Sequence, residues 1–355
     1  MTDPIARPLR IINAVAPIRV CDNGGWTDTW FAGHGKIFNI GVYPYAEVQI
    51  QVYPYDRSAT GDRVVIHAEN YGDHYVRDLS MNGWQKHPLL EAAIQRMRVP
   101  EDIAVHLTIF SEAPGGASTG TSAAVSVALV GALDRLTAGR LTPHEVAYAA
   151  WAIETEELGQ QSGIQDQLAS AYGGINYIEM FQYPTASVSP IQVSNPVWWE
   201  LERRLALIFL GKSHASSHVH EKVIHELEGE GPDSPRLEAL RRTAARSRDA
   251  VYAGDWAGLG LAMADNTAAQ ARLHPELVSP DAWKIIEIAR EHGALGWKVN
   301  GAGGDGGSVT ILCGEMSSAK RAMIRELEQE NLMWQHIPIY LSRQGLRTWE
   351  EAGAC

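Results

Sequence analysis

The sequence predicts an α+β fold of two domains, and three observations carry that expectation. A chain of 355 residues is long for one ordinary core and fits two. Residues 46–52 (AEVQIQV) and 103–109 (IAVHLTI) alternate apolar and polar side chains, so each reads as a strand with one buried face. Sheets of such strands are antiparallel or mixed, which disfavours a doubly wound parallel sheet. Beyond residue 200, strand and helix patterns follow one another without a βαβ rhythm, as in an α+β second domain.

Taken in order, an apolar strand containing Arg19 leads into Gly24-Gly25-Trp26-Thr27-Asp28. The stretch from Thr121 to about Leu136 is apolar on nearly all sides and reads as a buried helix. Thr142-Pro143-His144-Glu145 combines a capping box with proline at the first helical position, and the helix it opens ends at Leu158-Gly159. Residues 181–200 hold Pro184, Pro190, Pro196 and the Trp198-Trp199 pair, and mark a junction between domains 1–195 and 196–355. Beyond it come a strand at 205–210, helices near 217–229, 234–253 and 276–292, a strand at 308–313, a helix near 317–331 and a strand at 335–341. No internal repeat is evident.

The composition is that of a folded protein, 45% hydrophobic and 20% charged. A formal net charge of -12 argues against nucleic-acid or anionic-membrane partners, which need a basic face. Cys21, Cys313 and Cys355 are too scattered for a disulfide framework or a CxxC metal site. With no apolar segment in MTDPIARPLR, a cytoplasmic protein is expected.

Residues 113–124 (APGGASTGTSAA) lie between a strand and the buried helix, where free backbone N–H groups and the helix dipole favour an anion. The run Gly115-x-x-x-x-Gly120-Thr121-Ser122 approaches a Walker A motif, but Thr121 replaces its lysine, so an ordinary P-loop enzyme is disfavoured. A turn of small residues needed for packing is the plainer reading; the Thr121-Ser122 hydroxyls add groups suited to Mg²⁺. Residues 301–307 (GAGGDGG) formally contain GxGxxG yet run into a strand, so a dinucleotide fingerprint fails on context. They form either a tight turn or backbone brought close to a ligand.

Three carboxylates have two readings each. Glu154 shares a helical stripe with Ala147, Ala150, Trp151 and Leu158, and is either paired or bound to a cation. Asp166, in Gln161-Ser-Gly-Ile-Gln-Asp-Gln167, is either a helix cap or a general base. Asp28 either accepts local backbone hydrogen bonds or holds ligand hydroxyls. His214, His218, His220 and His225 suggest a metal hydrolase, but His220-Glu-Lys-Val-Ile-His225 misses the HExxH spacing by one residue. Solvated or substrate-facing histidines are the other reading.

Together these segments resemble the GHMP kinase family (galactokinase, homoserine kinase, mevalonate kinase, phosphomevalonate kinase). Ala16-Pro-Ile-Arg19-Val20 with Gly24-Gly-Trp-Thr-Asp28 is similar to the family's opening motif. Pro114 to Ala124 is similar to its phosphate loop, and Lys298-Val-Asn-Gly-Ala-Gly-Gly-Asp-Gly-Gly307 to its C-terminal glycine motif. The resemblance implies an N-terminal mixed-sheet domain like ribosomal protein S5 domain 2, a C-terminal ferredoxin-like domain and an active site in the cleft. It implies ATP and Mg²⁺, with Asp166 catalytic beside Arg19 and with Ser122 and Glu154 as metal ligands. Phosphate binding falls to Pro114, Gly115, Gly116, Ala117, Ser118, Thr119, Gly120, Thr121 and Ser122, although Ser118-Thr119 and Thr121 depart from the usual residues. Gly25, Trp26, Thr27, Asp28, Gly301, Gly303 and Gly304 become substrate-side groups.

Gly-Gly-Trp-Thr-Asp and the Glu154 to Gln167 segment look most like the fucokinase and heptose-7-phosphate kinase branch, which phosphorylates an anomeric hydroxyl. Residues 210–218 resemble a substrate-facing piece of the heptose kinases, making Lys212 and His214 candidates to receive a sugar phosphate. The expected partner is a small sugar or sugar phosphate, for a monomer or homodimer. Rival readings on the same scaffold are a diphosphomevalonate decarboxylase-like lyase and a non-catalytic sugar sensor.

Overall fold

The computed structural model describes residues 7–55, 62–212 and 217–352. The first half contains β1 (Arg10–Asn23), β2 (Gly35–Pro54), β3 (Val64–Ala68), β4 (Asp73–Val76), α1 (Pro88–Met97), β5 (Ile103–Ser111), α2 (Thr121–Asp134), α3 (Pro143–Ala152), α4 (Gln165–Tyr172), β6 (Ile175–Gln182) and β7 (Thr185–Pro190). The second half adds α5 (Asn195–Arg204), β8 (Leu205–Phe209), α6 (Ser217–Glu230), α7 (Pro235–Ala253), α8 (Trp256–Leu273), α9 (Pro280–Glu291), β9 (Gly296–Val299), β10 (Ser308–Leu312), α10 (Ser317–Glu330), β11 (Gln335–Ile337), β12 (Tyr340–Leu341) and β13 (Arg347–Ala352).

The alternating segments pair as their pattern requires. Val48, Ile50 and Val52 of β2 stand opposite Ile109, Leu107 and Val105 of β5. All six side chains are buried, each contributing ~1.5–3 kcal/mol. They belong to a nine-stranded sheet with the path β13-β1-β2-β5-β3-β4, and β6, β7 and β12 branch from it. The β3–β5 pair is parallel and the others antiparallel, so the sheet is mixed. Helix α2 covers it: Ala123, Ala124 and the run from Ser126 to Leu133 are all buried, as an all-round apolar helix demands.

The second sheet has the order β11-β8-β10-β9, antiparallel throughout. One apolar cluster joins the two halves, packing Ile18, Val20, Phe38 and Ile40 of the first sheet against Leu205, Val251, Leu259 and Met263.

The C-terminal segment crosses back over the expected division at residue 196. β12 pairs with β2 and β13 with β1, so the last described strand lies in the first sheet. The strand expected over 335–341 is two strands in different sheets, broken at Pro338, which has no N–H to give a ladder. The end of the stretch 181–200, expected to be irregular, falls within α5, because Pro196 stands in its first turn, where proline starts helices. Of the described residues, none lies in a helix long and apolar enough to cross a membrane.

Candidate active site

The site is assembled where β1 changes register against β2. Shifts occur between Pro17 and Ile18 and again between Val20 and Asn23, and such irregularities redirect the side chains near them. Arg19 lies between the two and is almost wholly buried. Its Nε and Nη2 donate to Asp166 Oδ1 and Oδ2 at 2.8 and 3.0 Å, and Nη1 donates to the Ser118 carbonyl. This fork-to-carboxylate geometry fixes both groups in one plane. Burial alone would lower the Arg19 pKa, but Asp166, Asp22 and Asp28 outweigh it and hold the guanidinium charged.

Asp166 stands in the first turn of α4, where a carboxylate is favoured by the helix dipole. Among the described residues, Asp166 alone lines both of two adjoining cavities. The larger, about 820 Å³, runs along the loop between β5 and α2 and reaches Asn70, Tyr71, His87 and Leu89. That volume lies within the range of cofactor pockets. Eight of the nine residues expected in the phosphate loop line it, and Ala117 does not: it is fully buried in the core shared by the two halves.

Gly120 caps α2 with φ +70°, and a Cβ there would stand 3.2 Å from both Cγ and Oδ2 of Asp166. Gly120→Ala is expected to lower stability by ~1–2 kcal/mol through the left-handed backbone and to push Asp166 aside. Urea unfolding and steady-state rates would check both effects, and a variant with native stability and turnover would refute the constraint.

The smaller cavity is lined by Trp26, Asp28, Trp30, Phe31, Gln165, Asp166, His220 and Gly301, among others. Asp28 is buried and accepts a hydrogen bond from the Gln165 N–H at 3.0 Å. Burial, reinforced by Asp166 and Asp22 and opposed by the Gln165 hydrogen bond, pushes its pKa up to about 6. Trp26 has φ +75°, a conformation rare for a bulky side chain and one that marks strain at the cavity wall. Its ring meets Phe31 at 6.3 Å between centroids and His220 edge-on at 5.4 Å.

Glu154 lies in a π-helical turn that follows α3, a local insertion common at functional positions. Its Oε2 accepts from Ser162 Oγ at 2.8 Å and Gln167 Nε2 at 2.9 Å. Its Oε1 is buried without a hydrogen-bond partner among the described residues. Burial raises its pKa to about 7, against the Ser162 hydrogen bond and with the help of Asp166.

Two family models match this chain: the GHMP kinases N-terminal domain over residues 88–174 and the GHMP kinases C-terminal domain over residues 247–329. A mevalonate kinase of Thermococcus sibiricus is 30% identical over 250 residues, 68% of this chain and 68% of that one. The chain belongs to the GHMP kinase family. It is an ATP-dependent kinase with the two-domain fold of that family. The D-glycero-alpha-D-manno-heptose 7-phosphate kinase of Campylobacter jejuni is 26% identical over 248 residues, 70% of this chain and 71% of that one. The fold is also that of the Lactococcus lactis galactokinase solved with galactose, with TM-score 0.72 at 15% identity, covering 95% of each chain.

Not every expected site residue of the kinase reaches a cavity. Thr27 is buried and its Oγ1 donates to the Gly24 carbonyl at 2.7 Å, closing the turn that presents Trp26 and Asp28. A Cβ on Gly25 would stand 2.9 Å from Asp22 Oδ2, so this glycine also serves the turn. In the 301–307 loop, Gly301 lines the smaller cavity, whereas the Gly304 N–H donates to the Leu277 carbonyl at 2.9 Å and a Cβ on Gly303 would strike the same carbonyl. Much of that glycine content therefore accommodates protein against protein. Lys212 pairs with Asp281 at 3.1 Å and Asp305 at 3.4 Å and lines neither cavity. His214 lies outside the described residues.

Two groups that the sequence pattern does not single out support the site from beneath. Asp22 is fully buried, accepts the Gly301 N–H at 3.0 Å and lies 3.4 Å from the buried Lys298 Nζ. Burial lowers the Lys298 pKa and Asp22 opposes that shift. The pair ties β1 to the glycine loop, and the signal for it was present: Lys298 opens the third glycine motif, and Asp22 sits between Arg19 and the Gly24 turn. Trp30 and Phe31 carry no motif signal, and His220 stands out only in a near miss of HExxH, because their common role arises only when α6 packs over the turn.

Proposed function

We propose that the enzyme transfers the γ-phosphoryl group of ATP to a sugar hydroxyl, the anomeric O1 of an aldose or heptose 7-phosphate. The observation that carries this reading is the position of Asp166, a carboxylate with one face held by Arg19 and the other open to two cavities. The glycine loop on one side offers backbone N–H groups and the α2 N-terminus to the phosphates. On the other side, Asp28 and the tryptophan-rich turn offer a hydroxyl acceptor and an apolar face. Asp166 accepts the proton of the attacking hydroxyl as the O–P bond forms and ADP leaves. Such transfers depend mainly on positioning and charge, so an ordinary carboxylate suffices.

The family also implies Mg²⁺, and Glu154 fits it: a buried carboxylate oxygen with no donor is stabilised by a cation. Ser122, exposed on the first turn of α2, and Glu154 would hold the ion, which when bound offsets negative charge on the phosphate oxygens.

The names of the relatives favour a sugar over the decarboxylase alternative, since one is a heptose 7-phosphate kinase. The test is ADP release from ATP across a panel of aldoses, with phosphorus NMR of the product. Release without CO₂ and an ester at O1 is the expected result. CO₂ release from a diphosphate acid would establish the lyase instead, and ATP binding with no acceptor turned over would establish the sensor.

A further inference from the structure

The lining of the smaller cavity discriminates between charged and uncharged acceptors. We infer that the acceptor is an uncharged sugar, seated on the Trp26 and Phe31 rings with hydroxyls donated to Asp28, and not a sugar phosphate or a carboxylated alcohol. This inference rests on the sugar-kinase reading and narrows its substrate class.

The first ground is charge. Asp28 and Asp166 line the cavity, and among the described residues no lysine or arginine does. The nearby cations are engaged elsewhere. Arg19 has its charge paired with Asp166 and also donates to the Ser118 carbonyl, Lys298 is buried against Asp22, and Lys212 lies between Asp281 and Asp305. The undescribed residues 213–216, which read Ser-His-Ala-Ser, contain no lysine or arginine either. An anion held about 6 Å from one carboxylate, at an effective dielectric near 20, is disfavoured by roughly 10²-fold. A phosphate ester bound here would meet that repulsion with no lysine or arginine among the described lining residues to oppose it.

The second ground is hydrogen-bond polarity. Asp28 and Asp166 as carboxylates only accept, and Gln165 Oε1 is buried without a partner among the described residues. A hydroxyl can donate to any of these, whereas phosphate and carboxylate oxygens only accept. The third ground is the wall itself. Trp30 and Phe31 meet edge to face at 5.2 Å, and Trp26 completes an apolar surface suited to the C–H face of a pyranose.

The experiment compares kcat/KM by ADP release for matched pairs: mannose and mannose 6-phosphate, galactose and galacturonate, and D-glycero-D-manno-heptose and its 7-phosphate, with mevalonate alongside. The neutral member of the pair that is turned over best is expected to exceed its anionic partner by at least ~10²-fold. An anionic member preferred in that pair overturns the inference while leaving the sugar-kinase reading intact. Turnover of mevalonate with no sugar of either charge used overturns that reading itself, as does failure of every acceptor when ATP binds. In Asp28→Asn the neutral-to-anionic ratio should shrink by up to ~10²-fold as one repelling charge is removed. Ile224→Lys, which places a cation on the opposite wall, should shrink it likewise and serves if the first variant does not fold. A ratio unmoved in both folded variants counts against the electrostatic origin of the selectivity.

Discussion

Asp166→Asn is expected to lower kcat by at least ~10²-fold, the usual scale for loss of a general base. The substitution changes little else in shape. An asparagine Oδ1 still accepts from Arg19, so the guanidinium at 2.8 Å keeps one of its two bonds to position 166. What the variant loses is the carboxylate proposed to take a proton from the acceptor hydroxyl. KM for ATP should stay within about 3-fold, because the residues along the glycine loop are untouched, and this split separates a chemical role from a structural one. Thermal melting should show a modest fall, since Arg19 is buried and loses part of its charge compensation. Near-normal kcat in a folded variant would remove Asp166 as the base and leave the two-cavity arrangement without its chemistry.

The parts legible in the sequence were those with a local cause. The capping box at Thr142 and Glu145 is made in both directions, because both bonds depend on residues three apart. The alternation at 46–52 marked only the end of a 20-residue strand, since residues 37–42 of β2 are all buried and leave no polar face to alternate. Helix α8 is not legible in the sequence for a related reason: Asn266, Thr267 and Gln270 are buried in its middle, so polarity does not mark its outer face. At the site, the glycine loop and the three carboxylates stood out by composition, and the fold brings Asp28 and Asp166 to one cavity with Glu154 coupled to Asp166 nearby. The Asp22–Lys298 pair and the Trp30–Phe31 wall depend on segments more than 190 residues apart meeting across two sheets, and no window of sequence contains that information.

Asp28→Asn is expected to stabilise the protein and impair the enzyme at once. The fold disfavours the Asp28 carboxylate by burying it beside Asp166 and Asp22, which raises its pKa from 3.8 to about 6. Between those two values the folded state binds more protons than the unfolded chain, so stability falls as pH rises through the window. The contribution is fully present below pH 3.8 and lost above about 6, an amount on the order of 2–3 kcal/mol at 1.36 kcal/mol per pKa unit. Asparagine carries no charge to bury and still accepts the Gln165 N–H. At pH 7.5 the variant should therefore resist urea better than the parent by ~1–3 kcal/mol, and the gain should vanish near pH 4. Sugar kcat/KM should fall by at least ~10-fold, because an amide accepts one donated hydroxyl where a carboxylate accepts two. Equal stability at both pH values would mean that the fold does not strain this carboxylate. Unaltered sugar kinetics would mean that the strain, though real, is not maintained for binding.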